Sequence, residues 1–184
     1  LVRDFFTNGG SDAVVVRLFA PGDLDDPTGA RLVAADIVGP GLRASGAGLY
    51  ALDRAEQVNL LVIEPHTRDG RVDPAVVRAA ADYCRDRRAV LLLEGPTGWQ
   101  AAGVPLDAGG SDLEAVIGTS SADAALFHPR LRRPSLTRDG AVEDFSPLGA
   151  VAGVIARTEA RSGVWASPAG EQALLNRVPA LSVE

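Results

Sequence analysis

The sequence predicts an α/β fold with a mostly parallel central sheet flanked by helices. Three observations predict it. Short β-branched or leucine-rich runs alternate with segments of helical spacing. One helical segment, opening at Asp73-Pro74, carries a full start signal. The 20 glycines and 12 prolines mark the chain reversals that such an alternation needs. With 184 residues, 46% hydrophobic and 23% charged, the chain is expected to form a single domain, 1–184, able to bury a sizeable core without a disulfide staple.

The first expected element is a buried strand at residues 13–19 (AVVVRLF), a β-branched run after the flexible Asn8-Gly9-Gly10. Residues 31–38 form a weaker strand candidate behind the turn-forming 25–29 (DDPTG). Residues 49–57 read as a short helix with Leu49, Leu52 and Ala55 on one face. The run 59–63 (NLLVI) is a strand that stops at Glu64-Pro65. At Asp73-Pro74 aspartate can cap the free amides while proline suits the first helical position, and Val76, Val77, Ala80, Ala81 and Cys84 make an apolar stripe. The strand 89–93 (AVLLL) follows directly, then a glycine- and proline-rich loop over 95–110. A capping box at Ser111 and Glu114 opens a helix to about Ser120, and residues 124–127 form a strand ended by His128-Pro129. A basic stretch bounded by Pro129 and Pro134 leads into a hairpin-like turn at 137–140. Ser146-Pro147 opens a helix whose Leu148, Val151, Ala152, Ile155 and Ala156 share a face, and the tail from 173 to 183 is mixed.

Chemistry is sparse in this pattern. Residues 39–44 (GPGLRA) formally fit a dinucleotide fingerprint, but proline occupies the tight turn, the glycine-rich 45–48 stands where a helix should run, and no acidic residue follows at the required distance. A phosphate-binding loop needs lysine, and every basic residue here is arginine. No serine stands in a G-x-S-x-G elbow. Of the two histidines, His66 lies near Glu64 and Asp69 in a loop after a strand, a weak acid/base or metal arrangement whose plainer reading is a solvated polar loop. His128 precedes a proline and reads as a hydrogen-bonded structural imidazole. Cys84 belongs to the apolar face of its helix, and one cysteine permits neither an internal disulfide framework nor a cysteine-based zinc site.

The net charge of −6 argues against nucleic acid as a partner. Apolar runs shorter than ten residues predict no membrane insertion and a soluble protein. Arg85, Arg87 and Arg88 suit a helix C-terminus, and Arg130, Arg132 and Arg133 form a small basic patch without aromatic interleaving. For both groups the alternatives are a solvated face or a protein interface, where the planar guanidinium fork pairs with a neighbour's carboxylates. The absence of an initiator at Leu1 suggests a piece of a longer product or a processed form, and nothing at residues 1–10 is patterned as a signal peptide.

Several segments, in order, resemble the central domain of contractile tail sheath proteins of bacteriophages and bacterial contractile injection systems. Residues 2–17 (VRDFFTNGGSDAVVVR) resemble the family's F-x-N-G-G-x-x-A-x-V-V-R stretch. Leu52-Asp53 with 59–63, Tyr83-Cys84 with Arg87-Arg88-Ala89 and 91–93, and residues 124–131 (AALFHPRL) resemble further family segments. The most specific stretch is 149–159 (GAVAGVIARTE) continued by 163–171 (GVWASPAGE).

The resemblance implies a subtilisin-like topology without a protease triad and a structural, non-enzymatic role: a virion or prophage subunit in a helical assembly of stacked hexameric rings around an inner tube. It implies contraction that drives that tube through a target envelope, and no cofactor, metal or catalytic residue. Its implied partners are other sheath subunits, the inner tube protein, the baseplate and the tail terminator, with assembly in the bacterial cytoplasm. Family members carry further N-terminal sequence and strand-exchanging arms, so this chain is expected to be a central domain without them and, by itself, largely monomeric. Arg130, Arg132 and Arg133, with the acidic Asp23, Asp25 and Asp26, are the candidate inter-subunit charge pairs. The alternative from another class is a hydrolase or metal-dependent enzyme using Glu64, His66 and Asp69.

Overall fold

A computed structural model of the chain describes residues 1–18, 32–66, 70–95, 114, 117–135, 138–178 and 180–181. In chain order the described elements are α1 (Val2–Thr7), α2 (Ala34–Val38), α3 (Leu42–Ser45), a 3₁₀ helix (Gly48–Arg54), β1 (Leu60–Val62), α4 (Pro74–Arg87), β2 (Val90–Glu94), β3 (Ala124–Phe127), β4 (Leu131–Pro134), β5 (Val142–Phe145), α5 (Leu148–Ser162), a second 3₁₀ helix (Gly170–Ala173) and β6 (Ala180–Leu181). The fold is α/β. Strands β1, β2 and β3 form a parallel sheet in that order, with β2 central. A second sheet, ordered β5-β4-β6, is antiparallel, so parallel pairing accounts for only one of the two sheets.

By contact the chain divides into two compact units, Leu1–Ala13, Leu92–Gly95 and Leu126–Glu184 in one, Val14–Leu91 and Pro96–Ala125 in the other. The second unit is built on α4. Asp73 Oδ1 accepts the Ala75 amide at 2.7 Å and Pro74 takes the first turn, where its missing donor costs nothing. Val76, Val77, Ala80, Ala81 and Cys84 are then buried along one stripe, as the spacing predicts. The helix stops where Arg88 turns left-handed (φ 56°), and the Ala89 amide closes on the Cys84 carbonyl at 2.8 Å, turning the chain into β2. Consecutive Leu91, Leu92 and Leu93 are all buried, the pattern of a central parallel strand covered on both faces. Around α4, Tyr83 Oη donates to Asp53 Oδ1 at 2.9 Å, Arg87 Nη2 donates to the Ala55 carbonyl at 2.7 Å, and Arg43 stacks over the Tyr50 ring while pairing with Asp86. These bonds fix the 3₁₀ helix and α3 against α4.

In the first unit the hairpin β4–β5 sets Leu131 opposite Phe145, Arg132 opposite Asp144 and Arg133 opposite Glu143, while β6 places Leu181 opposite Leu131 on the other edge. Ser146 Oγ accepts the Leu148 amide at 3.3 Å and starts α5, which buries Leu148, Ala150, Ala152 and Val154.

Three expectations are corrected. Residues 13–18 are not a buried strand: Val14 and Val15 are 64% and 69% exposed, and no described strand pairs with them. β-branched composition records fitness for a pleated surface, and without a partner edge it forms none. Residues 34–38, expected as strand, form α2, because Asp36 Oδ2 accepts the Val33 amide at 2.9 Å and caps a turn of alanines. The short helix expected at 49–57 is present as a 3₁₀ helix over Gly48–Arg54, with Leu49 and Leu52 buried, and is corrected only in its end, which falls three residues early. Of the 111–120 helix only part is described, with 114 and 117 helical and Gly118 turning left-handed against Pro74. The loop 96–110 lies outside the described residues.

Candidate functional site

A junction of chemically specific side chains lies in the first unit, where α1 packs on α5. Glycine makes the crossing close: a Cβ at Gly153 would lie against the Phe5 carbonyl and 2.8 Å from the Asn8 Cβ, and one at Gly149 would strike the Leu1 backbone. Asn8 ends α1, is 1% exposed, and donates from Nδ2 to the Asp4 carbonyl at 2.8 Å while its Oδ1 accepts the Asn176 amide at 2.7 Å. Gly9 (φ 106°) adopts a conformation that side chains avoid, and a Cβ there would press on the Arg157 stem 2.8 Å away. Arg157 in turn donates from Nη2 to the carbonyls of Gln172 and Leu174, both at 2.9 Å. Thr158 Oγ1 returns its bond to the Val154 carbonyl at 2.9 Å, so the buried hydroxyl is satisfied within the helix.

Asp4, 5% exposed, faces the same junction and receives a two-pronged pair from Arg133, Nη1 to Oδ1 and Nη2 to Oδ2, the latter at 3.0 Å. Burial alone would raise the Asp4 pKa, but the Arg133 hydrogen bonds and charge outweigh it and hold the carboxyl below the ordinary 3.8. The guanidinium also lies 4.3 Å from the centroid of the Phe145 ring.

The three arginines of the basic patch are therefore placed differently from one another. Arg133 is turned inward to Asp4. Arg132 pairs across the hairpin with Asp144 at 3.1 Å, half-exposed on both sides. Arg130 Nε lies 4.0 Å from Glu94 Oε2. The acidic residues expected to oppose them in a neighbour, Asp23, Asp25 and Asp26, lie outside the described residues. In the alternative site, Glu64 is exposed, and Asp69 lies outside the described residues. His66 Nδ1 and Nε2 are both shielded and find no hydrogen-bond partner, while its amide donates to the Arg71 carbonyl at 3.2 Å. Among the described residues no group of three His, Cys, Asp or Glu side chains is arranged to hold a metal ion. Cys84 is fully buried and its thiol is pushed up to about 12, chiefly by that burial, which leaves it a core residue.

Sequence reasoning missed α1 and the whole junction around Asn8. One signal was present: Asn8-Gly9-Gly10 and the glycines at 149 and 153 mark close backbone approach. Nothing in the sequence, however, joins Asp4 to Arg133, which stand 129 positions apart. Comparison with known proteins finds no family model that matches the chain and no matching curated protein.

Proposed function

We propose that the chain is the central domain of a contractile tail sheath subunit, which stacks in hexameric rings around an inner tube and moves as a nearly rigid body when the sheath contracts. The observation that carries this reading is the run 149–171, with its resemblance to the sheath signature. The use the fold makes of that run supports it. Gly149 and Gly153 are where α5 meets α1, and Arg157 is where the chain beyond α5 is tied down, so the residues of the resemblance hold the unit together. The other quoted stretch, with Asn8-Gly9-Gly10, folds onto the same helix. A structural subunit that transmits force needs such internal ties and no reactive centre.

The reading includes a subtilisin-like topology without a catalytic triad, no enzymatic activity, and partners that are other sheath subunits, the tube, the baseplate and the tail terminator. The half-exposed Arg132 is a natural place for a subunit contact. Electron microscopy of the natural-length protein expressed alone tests it: tubes of stacked six-fold rings are expected, and dispersed monomers would refute it. For the 184-residue chain, light scattering at moderate concentration should report a monomer.

A second reading, a hydrolase or metal-dependent enzyme, draws on the two unpartnered nitrogens of His66 beside Glu64. Titration with zinc followed by calorimetry separates the two: tight binding abolished by His66→Ala favours the enzyme.

A further inference from the structure

Residues 163–178 run from the end of α5 toward β6, and none of them is buried. Val164, Trp165 and Leu174 are exposed, Trp165 at 85%. A segment that buries no side chain gains little hydrophobic energy for its ordering, so its position depends on its polar bonds. Local turns supply two of these, from the amides of Ala166 and Ala169. Apart from the Gly163 amide, which closes α5 on the Glu159 carbonyl, the bonds to the rest of the unit come from side chains: Arg157 to the carbonyls of Gln172 and Leu174, Asn8 to the amide of Asn176, and the Asn176 carboxamide to the Thr7 carbonyl at 3.3 Å.

The two anchors on the helical side, Asn8 and Arg157, address only main-chain atoms, and those atoms belong to residues 172, 174 and 176. Gln172 belongs to the second 3₁₀ helix, Leu174 follows it with extended angles (φ −62°, ψ 134°), and Asn176 stands in a turn, so the three main-chain atoms are offered by an irregular stretch with no ladder of its own. Both anchors are also held in advance. Asn8 is fixed by its bond to the Asp4 carbonyl, and the Arg157 stem is seated on Gly9, where no side chain intervenes.

We propose that Asn8 and Arg157 form a two-point clamp for the main chain that follows α5, and that residues 163–178 are a strap which this clamp holds and can release as a unit while α1, α5 and the strands stay folded. The ligand class is main chain rather than a particular side chain: two carbonyls and one amide at alternate positions. The inference does not depend on the sheath reading.

Hydrogen exchange followed by mass spectrometry on the 184-residue chain tests it. In the wild type the peptide covering 170–178 exchanges more slowly than an unstructured peptide. Arg157→Ala and Asn8→Ala each speed that exchange by about tenfold or more, as expected for the loss of charge-assisted or buried hydrogen bonds, while peptides from α4 and β2 keep their rates. Both bonds leave from Nη2, so Arg157→Lys, which keeps the charge but ends short of that nitrogen, gives a smaller acceleration and guards against a folding defect. Three results would each overturn the proposal: a wild-type strap that exchanges at the unprotected rate, variants that leave its rate unchanged, or an acceleration that spreads equally to α4 and β2.

Discussion

Replacing Arg133 by alanine leaves the Asp4 carboxylate, 5% exposed, without its two-pronged partner. Removing one member of a buried pair costs about 3–5 kcal/mol when the remaining charge is left without a partner, and the Leu1 ammonium at 3.6 Å and Arg3 at 3.9 Å keep part of the compensation here, so the loss falls at the lower end of that range. Loss of the Phe145 stacking adds about 0.5–2 kcal/mol. Against a total stability of about 5–15 kcal/mol this is a large fraction. For a chain of this size it corresponds to a fall in Tm of roughly 7–28 °C. Asp4→Asn should cost less, about 1–3 kcal/mol, because the carboxamide oxygen still accepts a hydrogen bond from the Arg133 guanidinium, which is also the more exposed partner at 13%. A cycle of Arg133→Ala, Asp4→Asn and the double variant, followed by circular dichroism during urea unfolding, should therefore show a coupling of about 0.5–3 kcal/mol. The pH dependence carries the sign. The folded Asp4 has a lowered pKa, so its contribution is present above the ordinary carboxylate value of 3.8 and is lost as pH falls through the lower folded value. Wild type and Arg133→Ala should thus differ most near neutrality and converge in strong acid. An Arg133→Ala loss under about 1 kcal/mol at pH 7, or a difference that grows on acidification, would refute the reasoning.

Gly153→Val drives a branched side chain into the Phe5 carbonyl and Asn8, and should destabilise by about 1–3 kcal/mol or more in thermal unfolding, with Gly153→Ala milder. Asp73→Ala removes the cap on α4 and should cost about 0.5–2 kcal/mol by urea denaturation. A thiol reagent at pH 8 should leave Cys84 unmodified in the folded protein and react fully after unfolding, since the thiol is buried with its pKa pushed up to about 12. In a natural-length protein, charge reversal at Arg132, the half-exposed member of the basic patch, should impair assembly, and reversal at Asp23, Asp25 and Asp26 should restore it; independent effects of the two sets, read by sedimentation, would remove that pairing.

The parts of the fold legible in the sequence are those whose cause is local. Asp73-Pro74 with the stripe from Val76 to Cys84 yields α4 because cap, first-turn proline and spacing agree within one segment. The runs at 59–63 and 89–93 yield β1 and β2 because continuous apolar stretches of that length suit a covered parallel strand. Residues 13–18 have the strongest strand composition of all, yet stand exposed, since a strand needs an edge to pair with and composition cannot supply one. At 34–38 a single carboxylate bonded to the Val33 amide outweighs the strand pattern.

The sequence by itself determined the α/β class, the position of α4, the core role of Cys84 and the resemblance on which the sheath reading rests. Only the tertiary structure decided what the arginines do. Arg133 reads in sequence as one of three equivalent surface charges, and its inward turn to Asp4 depends on the β4 register and on α1 lying within reach. The clamp of Asn8 and Arg157 likewise joins positions 8, 157 and 172–176, whose meeting follows from the packing of α1 on α5. Local propensity is written residue by residue, whereas a buried polar bond between distant residues exists only once the chain has folded to bring donor and acceptor together.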